Sequence, residues 1–196
     1  MTRRLATLAL VLAAAAVLFA MQHSTPRYED LTGPIPVAGG MRETVRARTF
    51  DIEVERVEFA RRLQYHNSLG GATLRETSGL WAVVTARLAA RAESVSVTRA
   101  FWQGPTGIRY ELSDRVSLVP DLPPVDVDPG LPRRGRFVFE IRPDQVGDAT
   151  LLVSQGPFPL LDSQARIALD SLPLGADGAL AIQDLLDMNP PRGAKP

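Results

Sequence analysis

Thr49–Leu63 reads TFDIEVERVEFARRL. Its apolar side chains fall at Phe50, Ile52 and Val54, then at Val57 and Phe59, while Asp51, Glu53, Glu55 and Glu58 occupy the positions between. Strict alternation has the period of a strand, and carboxylates on one side mean that this face is wet. Such a half-buried strand belongs to an antiparallel sheet with one face on a core. The apolar phase changes from even to odd between Val54 and Val57, as one extra residue at a β-bulge would cause.

Outward from this stretch, Leu80–Ala92 (LWAVVTARLAARA) is the most apolar segment of the domain. Its Ala and Leu favour a helix, whereas Trp81, Val83, Val84 and Thr85 favour a strand. The alternating neighbours decide for a central strand, buried on both faces at its start, with Arg87 and Arg91 turned outward. Val95, Val97 and Phe101 continue the alternation. Gly104-Pro105-Thr106-Gly107 is a turn, and Ile108, Tyr110 and Leu112 resume the pattern as the second arm of a hairpin. Pro120–Pro132 holds five prolines and little that can pair, so it is expected to be a long loop at an edge or end. Phe137, Phe139 and Ile141 make a strand stopped by Pro143-Asp144, and Thr150–Ser154 and Arg166–Leu169 supply the last two. About seven short strands with turn signals between them argue for an all-β, immunoglobulin-like antiparallel sandwich. With no cysteine in the chain, no disulfide braces the core, and thiolate metal sites, a cysteine nucleophile and a lipoprotein anchor are all excluded.

At the N-terminus, Arg3 and Arg4 precede an apolar run from Leu5 to Met21 broken only by Thr7. Seventeen helical residues span roughly 26 Å, enough for a bilayer core with little tilt. The two arginines and the amino terminus stand before the run, while Arg27 is offset by Glu29 and Asp30 after it. The positive-inside rule then keeps residues 1–4 cytoplasmic and exports the rest. A cleavable signal peptide competes with an uncleaved anchor: Ala20 suits the −1 position, but Leu18 at −3 is large and no polar c-region follows. The expected plan is therefore a cytoplasmic stub (1–4), a transmembrane signal anchor (5–21), a Pro/Gly linker (22–41), the sandwich (42–170) and a tail (171–196). The tail's Leu180, Leu185, Leu186 and Met188 have loosely helical spacing, so it holds either a short docked helix or a frayed end.

A sheet-opening strand at Thr49–Phe59, a Trp/Val-rich central strand, an aromatic–turn–Tyr hairpin from Phe101 to Tyr110 and the run PGLPRRGRFVFEI (Pro129–Ile141) come in succession. This order resembles the telokin-like, immunoglobulin-like DUF4352-type domains of bacterial exported proteins, over about residues 42–170. The resemblance implies the fold and the compartment. It implies no catalytic residue, and the chain departs from it in reading Ala89-Ala90-Arg91-Ala92 where the central strand ordinarily ends in Asn.

Chemistry-bearing residues are sparse. Lys+Arg and Asp+Glu balance at 22 each, so no bulk charge draws the chain to nucleic acid. Nearly every cation is Arg, and Ala and Pro abound, which has the character of a high-GC bacterial genome. The two histidines, His23 in the spacer and His66 in a polar loop, have no metal-ligand spacing to a partner. Ser68 and Ser78 lack the G-x-S-x-G elbow of a hydrolase, and there is no P-loop or G-x-G-x-x-G. Asp121, Asp126 and Asp128 alternate in the Pro-rich loop and offer oxygens to Ca²⁺, though without EF-hand spacing. Arg133, Arg134 and Arg136, with Arg61 and Arg62, would form a basic patch if they met. Trp102 or Phe101 faces the core and the other faces out, and an exposed Trp would be a binding anchor.

These observations specify no catalytic, cofactor or metal residue. They point to a non-enzymatic, membrane-anchored extracytoplasmic interaction or structural module of the bacterial cell envelope. Its partners would be the lipid bilayer through residues 5–21 and an envelope protein, with no nucleic acid. The alternative is an accessory subunit of a membrane complex in transport or secretion, and a calcium- or ligand-binding domain stands behind both.

Overall fold

The computed structural model describes residues 2–24, 32–66, 71–156 and 161–189. In chain order these form α1 (Thr2–Ser24), β1 (Ile35–Gly40), β2 (Val45–Arg46), β3 (Phe50–His66), β4 (Ala72–Ala90), β5 (Val95–Val97) and β6 (Arg99–Gln103). β7 (Arg109–Glu111), β8 (Val125–Val127), β9 (Arg133–Ile141), a 3₁₀ turn at Pro143–Gln145, β10 (Thr150–Ser154), β11 (Ser163–Ala168) and β12 (Ile182–Asp187) follow. The chain divides into two units at Gly33/Pro34. The first carries α1, in which Arg3–Ser24 holds an 18-residue window of mean hydropathy 2.2 with no buried residue. It extends the expected 5–21 span by a turn at its C-terminal end, so that His23 is helical and stacks on Phe19 at 4.7 Å.

The second unit is the expected β-sandwich. One sheet has the order β1-β11-β10-β6-β7, and the other β12-β3-β4-β9 with β2 also on β3. Pairing is antiparallel apart from β1 on β11 and β12 on β3, which are parallel. The alternation in Thr49–Leu63 carries through: Phe50, Ile52, Val54, Val57 and Phe59 all enter the core between the sheets. The bulge lies where the phase change puts it, with a register shift between Val54 and Arg56 that sets Glu55 and Arg56 together opposite Thr85.

Leu80–Ala92 is the strand reading, not the helix: β4 pairs with β3 on one side and β9 on the other. Two ladders satisfy its backbone, and this outweighs the helix preference of its alanines. Leu80, Ala82, Val84, Ala86 and Leu88 point between the sheets, while Trp81 and Val83 belong to a second cluster on the outer face. That cluster is roofed by Val116, Val119 and Leu122 from the segment after β7, and by Leu186 and Met188. Gly79 permits the entry to this stretch, because a Cβ there would collide with the Ile141 carbonyl.

Trp102 closes the main core. It is fully buried, meets Phe59 edge-on at 5.9 Å and Phe139 at 6.2 Å, and donates Nε1–H to the Gln145 carbonyl at 2.8 Å. Phe101 takes the outward position. The Gly104–Gly107 hairpin turn forms as read, with Gly104 N donating to Ile108 O and Gly107 N to Gly104 O.

Three boundaries need correction. Residues 35–40, assigned to the linker, are β1, docked edge-on to β11. Residues 182–187, assigned to a tail with a possible helix, are β12. Both are short edge strands whose ladder partner lies over 100 positions away in sequence, so local pattern carries no trace of the pairing. Within the Pro-rich loop, Val125–Val127 pairs antiparallel with β5. The flanking prolines bound this three-residue strand without interrupting it.

Candidate functional site

The sequence candidates disperse. Asp128 accepts a hydrogen bond from Ser94 Oγ at 2.5 Å, Asp126 lies opposite Ser96 in the β5–β8 pair, and Asp121 is 3.8 Å from Arg136. Among the described residues no group of three His, Asp or Glu side chains could hold a metal ion. The arginine patch does not assemble either. Register places Arg133 and Arg134 against Leu88 and Arg87, at one end of β4, and Arg62 against Glu76 at the other. His66 ends β3, exposed, with its backbone N–H donating to Asn189 Oδ1. Ser68 lies outside the described residues, Ser78 is exposed in β4, and Trp102, being buried, is no binding anchor.

What the strand register does assemble is a polar cleft on the outer face of the β12-β3-β4-β9 sheet. Opposite residues put Arg56 of β3, Thr85 of β4 and Arg136 of β9 in one row across three adjacent strands. The next row toward the roof is Glu58, Val83 and Val138. Directly opposed side chains on one face are about 5 Å apart at Cβ, so each row is a set of touching neighbours. The bulge at Glu55 brings Arg56 into this row and leaves Glu55 free to pair with Arg134, Nε to Oε2, at 3.0 Å.

The cleft has a volume of about 320 Å³. Its walls are Arg56, Glu58, Asp121, Arg134, Arg136 and the end of β12 with Leu186, Asp187, Met188 and Asn189; Val83 and Thr85 form the floor. Arg136 is the most enclosed of the cations, its side chain 14% exposed. Its guanidinium donates to the carbonyls of Pro120 (2.8 Å) and Met188, and its backbone N–H donates to Asp121 O at 2.7 Å. One arginine thus ties the roof segment and the C-terminal strand to β9. Burial pushes this guanidinium below its ordinary pKa; Asp121 opposes that shift, Arg56 adds to it, and Glu58 opposes it. Arg56 pairs with Glu58 at 2.9 Å and stays largely exposed.

At the centre of the row, Thr85 is 2% exposed and its Oγ1 has no hydrogen-bond partner. A buried hydroxyl left unmatched costs about 1–3 kcal/mol, so its presence on the floor of an arginine-flanked cleft calls for a chemical reason. The sequence marks Thr85 only as a strand former and gives Arg56 no role. The phase change at Val54–Val57 was the available signal, since a bulge re-aims side chains.

The roof is held independently. Arg115 lies over the Trp81 ring at 5.3 Å, reaches Glu140 at 2.9 Å and donates to Glu76 O at 2.8 Å, while its own carbonyl accepts from the Tyr65 hydroxyl at 3.2 Å. The cleft therefore sits beside a braced strap.

No protein-family model matches the sequence, and no curated protein does. Among solved structures, an uncharacterised β-sandwich protein from Clostridium difficile 630 aligns with TM-score 0.45 at 12% identity, over 74% of this chain and 100% of that one. MPT63, a secreted protein from Mycobacterium tuberculosis, aligns at 0.46 and 16% identity, over 68% and 98% of the two chains. The yjhA protein from Bacillus subtilis aligns at 0.46 and 14%, over 67% and 99%. The first of these is described as a β-sandwich, the architecture that this chain's own two sheets form after an apolar N-terminal helix.

Proposed function

We propose that the protein is a non-enzymatic interaction module of the bacterial cell envelope, tethered by α1 with its sandwich outside the cytoplasm. The observation that carries this reading is the helix Arg3–Ser24: 22 exposed residues, with an 18-residue window of mean hydropathy 2.2. At 1.5 Å per residue it reaches about 33 Å, matching a hydrocarbon core of about 30 Å. Left in water, such a helix would expose an apolar surface on every side, a liability that insertion removes. Arg3 and Arg4 at its N-terminal end orient the N-terminus inward. The sandwich core is built from apolar side chains alone, in a chain with no cysteine. In family terms the reading is DUF4352-like, a likeness carried by the strand order and the Pro129–Ile141 run. The chemistry the cleft offers is recognition, through its arginines.

Expression with a C-terminal tag in a bacterial host, followed by membrane fractionation, carbonate washing and external protease digestion, tests the reading. The tagged chain should stay in washed membranes, lose its tag to protease added outside the inner membrane, and retain residues 1–24 by intact mass. A protein recovered in the cytoplasmic fraction would overturn the tether and the topology together. A mass lacking the first twenty or so residues would replace the anchor by a cleaved signal peptide.

A further inference from the structure

We propose that the Arg56–Thr85–Arg136 row is a binding site for a small oxyanion, a phosphate or carboxylate group, seated on the Thr85 hydroxyl. The inference rests on the reading of this domain as a binding module and names the ligand class it would take. Three independent observations meet at one place. Thr85 is 2% exposed, lines the cleft and has a buried Oγ1 with no partner, so this hydroxyl carries an unused hydrogen bond. Guanidinium groups stand on both flanking strands in the same row, set by register. The space above them, about 320 Å³, is large enough for such a group with a short body attached.

The available donors fit an oxyanion better than a cation or a neutral polar group. Arg56 spends its Nε on Glu58, and Arg134 spends its Nε on Glu55, which leaves the Nη groups of both as donors to the cleft. Planar guanidinium forks match the paired oxygens of carboxylates and phosphates. Arg136 has its own donors turned to the Pro120 and Met188 carbonyls, so it supplies a fixed, poorly hydrated positive charge at the back of the site. Glu58, Asp121 and Asp187 line the cleft beside the arginines, so it presents no broad positive field to draw in a long polyanion. Leu186, Met188 and Val83 give the body of the ligand an apolar wall.

The test is a titration of the full chain in neutral-detergent micelles at pH 7, with inorganic phosphate, acetate and, as controls, chloride and glucose, followed by backbone amide NMR shifts. Phosphate or acetate should give saturable shifts at residues of β3, β4 and β9 around the row, while chloride and glucose should not. Which anion saturates at lower concentration identifies the ligand chemistry. Thr85→Val should weaken binding at least tenfold, Thr85→Ser should restore it, and Arg56→Gln should weaken it severalfold. Because valine matches threonine in shape, thermal unfolding of Thr85→Val at or above the wild-type midpoint separates loss of the hydroxyl from loss of the fold. Absence of saturable shifts with both anions, or equal binding by wild type and Thr85→Val, would overturn the proposal. Neither result bears on the membrane tether, which fractionation decides separately.

Discussion

Replacing Trp102 with Phe isolates what joins the two sheets. Trp102 is fully buried, packs edge-on to Phe59 and donates its indole N–H to the Gln145 carbonyl at 2.8 Å, in a place where Gln145 is 1% exposed. Phenylalanine preserves the aromatic contact but leaves that carbonyl unmatched and a void beside Phe139. The unpaired carbonyl costs about 1–3 kcal/mol, and the void adds about 1 kcal/mol when the surroundings relax only in part. The sum, about 2–4 kcal/mol, is a large share of a domain stability of about 5–15 kcal/mol. In thermal terms it is roughly 5–15 °C for a domain of this size. Gln145 also accepts from Thr106 Oγ1 at 2.7 Å, so the hairpin turn should loosen with it. The assay is urea unfolding of the full chain in micelles. With two tryptophans in the sequence, the variant leaves Trp81 as sole emitter, so fluorescence of the outer cluster reports on loss of the inner one. A loss below about 1 kcal/mol would refute the claim that this hydrogen bond and ring join the sheets.

Other outcomes follow from the same structure. Thr85→Val, which removes an unmatched buried hydroxyl, should raise the midpoint of unfolding of the anion-free protein by about 1 kcal/mol in stability, measured by denaturant titration; a loss would mean the hydroxyl is already satisfied. Gly79→Ala drives a Cβ into the Ile141 carbonyl and should destabilise by about 1–3 kcal/mol in the same assay. Leu186→Ala, at a side chain 8% exposed against the outer cluster, should cost about 2–3 kcal/mol and increase exchange of the roof amides. The hydrogen bond from Arg48 holds the Asp162 carboxyl below the usual carboxylate range. A folded-state pKa below the unfolded one gives stability that is present above about pH 4 and lost as pH falls through the folded value. Asp162→Asn should therefore flatten the acid limb of a stability–pH curve, seen as a smaller drop between neutral pH and pH 3.

The parts of the fold legible in the sequence are those with a local cause. Side-chain alternation from Phe50 to Phe59, the phase change that marks the bulge, the Gly104–Gly107 turn and the stop at Pro143 are each properties of a few adjacent residues. So is the apolar run that becomes α1. Leu80–Ala92 was harder, since its composition pulls both ways, and its neighbours settled it because a strand surrounded by strands has partners on both sides. Whether the Arg61/Arg62 and Arg133–Arg136 runs meet in one patch is not written locally, because sequence carries charge without register. Pairing sends them to opposite ends of β4.

Residues 35–40 and 182–187 show the limit most plainly. Each is an edge strand of six residues running parallel to a remote partner, so its existence depends on a surface that folding creates. The cleft has the same origin. Arg56, Thr85 and Arg136 are 29 and 51 positions apart in the chain, and only the β3–β4–β9 ladders bring them into one row. Local chemistry along the chain was enough for an apolar helix and a disulfide-free sandwich. Which side chains face one another, and which hydroxyl is left without a partner, depends on long-range hydrogen-bond register, and register is a property of the assembled sheet.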